Sequence, residues 1–91
     1  MKEGTPSDSE LQVLAGMISA KWMMLGILLN IPQDVLNEIY TTVEDKPYGM
    51  LQRWKSATTS ATPYEDLFNA LCHERVGLKD LAKLFCCKET A

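Results

Sequence analysis

The residues of this 91-residue chain with the most reactive side chains are Cys72, His73, Cys86 and Cys87, its three cysteines and one histidine. Cys72 and His73 are adjacent, and neighbours on a helix point about 100° apart, so they make a poor nucleophile–base pair. Cys86 stands as a more distant candidate partner. "CH" and "CC" lack the C-x-x-C spacing of structural zinc sites. A cysteine also packs well as a small hydrophobe, and His73 falls on the expected solvent face of its helix. Neither G-x-x-x-x-G-K-[ST] nor G-x-G-x-x-G occurs, so nucleotide binding has no support. No catalytic residue, cofactor or metal ligand is assigned, and an enzyme is not expected. An odd cysteine count with an adjacent pair is a poor disulfide framework, and the polar opening "MKEGTPSDSE" carries no secretory pattern. Free thiols in a reducing, cytoplasmic setting are the simpler expectation.

Surface charge is the other candidate chemistry. Twelve acids against nine bases give a net charge of -3. Nucleic-acid binders carry a basic excess or stripe that displaces counterions from phosphates, and this chain has neither. The charges are segregated all the same. Asp34 and Glu38 are four apart and share a helix face. Glu44 and Asp45 continue that acidity, whereas Lys46, Arg53 and Lys55 lie on the following helix, with Arg53 and Lys55 pointing away from Leu51 and Trp54. An acidic face beside a basic one permits head-to-tail association of copies. Against that stands the ordinary solvated surface of mixed charge that any soluble domain needs.

The elements that position these charges are helical. There is no sustained alternation and no Asn-Gly or Asp-Gly hairpin turn. Six segments are expected, forming an antiparallel bundle over 7–87, with a flexible 1–6 and a frayed 88–91. The first opens on a capping box, Ser7 with Glu10, and places Leu11, Leu14, Ala15 and Ile18 on one face. The second, Ala20 to Leu29, is apolar nearly all round, which marks a central helix. Asn30 suits the left-handed conformation that ends it. The third begins with Pro32 at its first helical position and carries Leu36, Ile39, Tyr40 and Val43 as its stripe. The fourth follows the turn "EDKPYG" and buries Pro47, Met50, Leu51, Trp54 and Ala57. The loop "SATTSATP" leads to a second capping box, Thr62 with Glu65, and Pro63 at the first position of the fifth helix. Tyr64, Leu67, Phe68 and Leu71 face inward there, with Arg75 towards its end and Gly77 as the break. The sixth holds Leu78, Leu81, Ala82 and Phe85. Met17, Met23, Met24 and Met50 are expected as core fillers rather than a partner groove.

"KWMMLGILLNIP", residues 21 to 32, is the most apolar stretch. A membrane span needs about 20 mostly apolar residues, and Lys21, Asn30 and Pro32 bracket this one too closely for direct insertion.

The order of anchors resembles the death-domain family. Trp22, Leu25-Gly26 and Leu29-Asn30-Ile31 are similar to that family's W-x-x-L-A-x-x-L-G-[LIV]. Ile39 follows at the apolar position of the third helix. "MLQRW", Met50 to Trp54, resembles M-L-x-x-W of the fourth, and "LFNAL", Leu67 to Leu71, matches L-x-x-A-L of the fifth. "GLKDLA", Gly77 to Ala82, resembles the entry to the sixth. The likeness runs from about Leu11 to Phe85. Gly26 for Ala and Asn30 for Gly depart from it, and both look sterically mild.

The resemblance implies an all-α, six-helix antiparallel Greek-key bundle. It implies a non-enzymatic, cytoplasmic adaptor or the cytoplasmic part of a membrane receptor. Its partners would be other death-domain proteins or itself, in apoptotic or innate-immune signalling, with higher-order oligomers among its assemblies. By location the candidate protein-binding residues are Asp34, Glu38, Glu44, Asp45, Lys46, Arg53, Lys55, and Glu74, Arg75, Lys79 and Asp80 around the fifth-to-sixth junction. Two rival readings have clear discriminators. A helix-turn-helix nucleic-acid bundle would be retained on heparin at physiological salt. Redox or metal cysteine chemistry would need Cys72, Cys86 or Cys87 exposed with a low pKa.

Overall fold

The computed structural model describes residues 4–86, and these form helices with no strand among them. In chain order they are α1 (Asp8–Ile18), a 3-10 turn (Ser19–Lys21), α2 (Trp22–Leu28), α3 (Gln33–Thr42), α4 (Lys46–Ala57), α5 (Pro63–Cys72) and α6 (Lys79–Cys86). α1 packs on α4, α2 on α3, α4 and α5, and α5 on α6. Leu11, Leu14, Leu25, Leu36, Met50 and Leu67 are among the fully buried side chains of one shared core. No charged residue is buried among the described ones. Cys87 and the expected frayed end, 88–91, lie outside the described residues.

The start of α1 is fixed by local chemistry. The Glu10 N–H donates to Ser7 Oγ (3.2 Å) and the Ser7 N–H donates to Glu10 Oε1 (3.2 Å), closing the expected capping box. Pro6 and Leu11, at the positions flanking that box, are both buried, as in a hydrophobic staple. Pro6, expected within a flexible lead, is thus part of the packed structure. The Tyr64 hydroxyl on α5 donates to the same Glu10 carboxylate (2.9 and 3.0 Å). One side chain therefore caps α1 and ties it to α5, and the Tyr64 ring sits 6.2 Å from that of Phe85 on α6.

α1 and α2 form one bent helical run. The run Asp8–Leu28 is 21 residues long and apolar enough to cross a membrane by length and composition. The length argument against insertion therefore applies to the stretch from Trp22 onward and not to the whole run. Ser19 breaks it at φ 45° and ψ -124°, a backbone region costly for a residue with a Cβ. Trp22, Leu25, Gly26 and Leu29 face the core as the spacing predicts, whereas Met23, Met24 and Leu28 are half-buried and Ile27 is exposed. The central helix thus has one open edge. Of the four methionines expected as fillers, only Met50 is fully buried, and Met17 is exposed.

Asn30 ends α2 at φ 66°. The Ile31 N–H donates to Gly26 O (3.0 Å) and the Asn30 N–H to Ile27 O (3.0 Å), the two bonds of a Schellman motif. Gly26 is more than a tolerated departure from Ala. A Cβ there would stand 2.7 Å from Leu36 Cδ2 and 3.1 Å from Met50 Cγ, so its absence lets α2 approach α3 and α4.

Several local expectations differ from the structure. Thr62 makes no side-chain cap. Its ψ of 64° departs from the extended 163° that aims the Ser7 hydroxyl at its helix. Its N–H donates instead to Ser60 Oγ (3.1 Å). Pro32 precedes α3 as the cap residue rather than opening it. Tyr40 and Ala57 point outward, and Val43 is half-buried. α5 ends at Cys72, so Arg75 lies in the turn that follows, which closes at Gly77 (φ 67°).

Candidate functional site

α3 and α4 pack side by side, and this seam pairs the two charged faces within the molecule. Arg53 Nη2 stands 3.4 Å from Glu38 Oε1, with side chains 48% and 60% exposed. Such pairs are worth about 0–1 kcal/mol. Lys55 turns the other way, its Nζ 2.9 Å from Asp8 Oδ1 at the start of α1. Gln52 Nε2 donates to the same Asp8 oxygen (2.9 Å) and to the Tyr48 hydroxyl (2.9 Å). The Gln52 hydrogen bond, then Lys55, hold the Asp8 carboxyl below the usual carboxylate range. Asp34 is exposed on the first turn of α3. The expected acidic and basic faces are thus neighbours, and Glu38 meets Arg53 in its own copy.

The corner between α3 and α4 collects three more of the candidates. Asp45 caps α4, accepting the Tyr48 N–H at 3.4 Å. Lys46 Nζ donates to Val43 O (3.4 Å) and stands 5.6 Å from the centre of the Tyr40 ring, within cation–π range. Glu44 is exposed. Tyr40 is 60% exposed, an aromatic ring standing out at the end of α3 with the Lys46 ammonium over it. The corner lies against the 3-10 turn, sharing a shallow cleft of about 670 Å³ with Ser19, Ala20 and Trp22.

A deeper groove, about 820 Å³, runs between the α2–α3 corner, the end of α4 and one side of α5. Leu28, Val35 and Trp54 supply apolar lining, and Arg53, Asp66 and His73 bring charge or a titratable ring to it. That volume lies within the range of about 300–1,000 Å³ typical of binding clefts.

Glu74, Arg75, Lys79 and Asp80 are exposed around the α5–α6 junction. His73 is the residue that ends α5, and its Nδ1 accepts the Arg75 N–H (3.1 Å). Lys79 and Asp80 border a small cleft of about 360 Å³ beside Met17 and Leu81. Leu84, one turn along α6, is 68% exposed. Cys72 is half-buried and Cys86 is fully buried. Among the described residues no group of three His, Cys, Asp or Glu side chains converges as a metal site would require.

Nine of the eleven candidates fall in three places: Glu38 and Arg53 at the α3–α4 seam, Glu44, Asp45 and Lys46 at the α3–α4 corner, and Glu74, Arg75, Lys79 and Asp80 around the α5–α6 junction; Asp34 stands apart on the first turn of α3, and Lys55 pairs with α1. Sequence reasoning missed Tyr40 as a surface residue and missed the groove. It also missed Asp8, Glu10 and Tyr64 as the residues that lock the first helix. The burial of Tyr64, then its bond to Glu10, push its hydroxyl up to about 12. The signal for that lock was present in part, since the capping box named Glu10, but its second partner is 54 residues away.

Searches of family models, curated proteins and solved structures find no match to this chain.

Proposed function

We propose that the chain is a non-enzymatic protein–protein interaction module of death-domain type, folded as a six-helix Greek-key bundle. In this reading it associates with other death-domain proteins or with itself in apoptotic or innate-immune signalling at a cytoplasmic location. One observation carries the proposal. Most of the apolar anchors on which the resemblance rests, Trp22, Leu25, Leu29, Ile31, Ile39, Met50, Leu51, Trp54, Leu67, Leu71 and Ala82, are buried in one core, with Leu78 and Leu81 half-buried against it. Every charged candidate residue lies outside that core, on helix faces or turns. A rigid bundle with charged, mostly exposed faces suits recognition by complementary potential rather than chemistry on a small substrate.

Cross-linking mass spectrometry of the tagged chain in cells reads its partners directly. The expected result is cross-links from the α3–α4 or α5–α6 surfaces to death-domain bundles, including copies of the chain itself. Cross-links confined to unrelated folds, or retention on heparin at physiological salt, overturn the proposal.

A further inference from the structure

The α3–α4 corner and the groove are complementary surfaces on a single molecule. The corner projects the exposed Tyr40 ring with Glu44 beyond it. The groove offers an apolar lining of Leu28, Val35 and Trp54 beside the Arg53 guanidinium. We infer that a second copy of this chain seats its Tyr40–Glu44 corner in the groove, with the Tyr40 ring on the apolar lining and Glu44 against Arg53, so that copies join head to tail. The inference rests on the homotypic role proposed above and names its contact.

Tyrosine is suited to such a seat, because its ring is apolar and its tip needs a hydrogen-bond partner. The groove supplies both, since Asn69 and Thr58 also line it. Lys46 stands over one face of the ring in the same copy and leaves the opposite face for the lining. Arg53 is able to exchange partners. Its bond to Glu38 is a 3.4 Å contact through Nη2, between two side chains about half exposed, so replacing Glu38 by a neighbour's Glu44 costs little. Asp66 also lines the groove, which steers the incoming carboxylate to the Arg53 side.

Symmetry decides between a closed pair and a chain of copies. Corner and groove are different patches, so the contact between them is heterologous rather than two-fold. From Pro32, which lines the groove, to Tyr40 the helix rises about 12 Å. The groove meets the start of α3 through Pro32 and Val35 and the corner lies past its end, with Arg53 reaching back to Glu38 between them, and each bound copy presents a fresh corner. Contacts of this kind grow until a ring closes or a filament forms.

Sedimentation velocity over a concentration series at low salt tests the contact, with circular dichroism confirming that each variant is folded. The wild-type chain is expected to form species beyond the dimer, dispersed by high salt. Tyr40→Ala and Arg53→Glu should each weaken assembly at least about tenfold, the loss of one central aromatic or charged contact. The decisive sample is their equimolar mixture. Arg53→Glu keeps an intact corner and Tyr40→Ala keeps an intact groove, so together they should form one-to-one dimers and stop. A monomeric or strictly dimeric wild type, variants that assemble as wild type, or a mixture that stays monomeric or grows past the dimer overturns the inference. Wild-type assembly with unaffected variants removes this contact but leaves the homotypic role standing, which the cross-linked partners decide separately.

Discussion

The first turn of α1 and the corner after α3 both carry a pair of carboxylates, yet they use them in opposite ways. Asp8 and Glu10 reach partners 44 to 54 residues away, on α4 and α5. At the corner, Asp45 caps the helix it precedes, and the polar contacts nearby stay within three or four residues, from Thr41 and Thr42 back to Glu38 O and from Lys46 to Val43 O. The first region spends its charge holding three helices together. The second keeps Glu44 and Tyr40 in solvent. Acids that fasten the fold are poorly placed to recognise a partner, whereas acids with local tasks leave their surroundings open.

The largest effect that tests this contrast is Glu10→Ala. It removes both the reciprocal cap and the acceptor for Tyr64, and the expected loss is about 2 kcal/mol by chemical denaturation. The matching change at the corner, Glu44→Ala, should stay within about 0.5 kcal/mol. Equal losses at the two sites would erase the distinction. Tyr64→Phe comes next, at about 1 kcal/mol for one hydrogen bond with the ring retained, and Tyr40→Phe should be neutral in the same assay.

The pH profile separates the regions without mutation. The Tyr64 hydroxyl is raised in the folded state, so its contribution is complete below about pH 10 and is lost as pH climbs through about 12. Asp8 is lowered in the folded state. Its contribution is present above about pH 4 and is lost as pH falls below that. Tyr64→Phe should flatten the alkaline limb of melting temperature against pH, and Asp8→Asn the acid limb. Arg53→Glu, like Glu44→Ala, should change stability little. Helical content should be unaltered and melting shifted by no more than about 0.5 kcal/mol, although the same variant should impair assembly.

Much of the helical layout was legible because its signals are local. Ser7 and Glu10, Pro63, and Asn30 after an apolar run each act within a turn or two, and the spacing of Trp22, Leu25 and Leu29 fixed an inner face. What failed required a partner's position. Tyr40 fits the stripe of α3 by period, but that helix packs through Leu36 and Ile39 with Val35 and Val43 only half covered, so the ring is left outside. Thr62 has the right neighbours for a cap and the wrong ψ. The charges of α3 and α4 were correctly seen as neighbours, but the Arg53–Glu38 pair depends on how the helices lie across a turn. The groove draws on three separate stretches of chain, and no single stretch announces it. Gly26 looked interchangeable with Ala until Leu36 and Met50 stood beside it. Gly26→Ala weighs a helix-propensity gain of about 1 kcal/mol against overpacking of about 1–3 kcal/mol, for a net expected loss of about 1 kcal/mol.

The bend at Ser19 has a consequence for the length of rod that the folded run can present to a bilayer. Drawn out as one rod, the run Asp8–Leu28 would measure about 32 Å, enough to match the hydrocarbon thickness of a bilayer. The bend at Ser19 divides it into α1 and α2, of 11 and 7 residues, or about 16 and 10 Å. Neither piece reaches across. The backbone at Ser19, with the core contacts of Trp22 and Leu25 beyond it, thus holds the folded run as a corner, and replacing Ser19 with a strong helix former such as Leu should favour the rod.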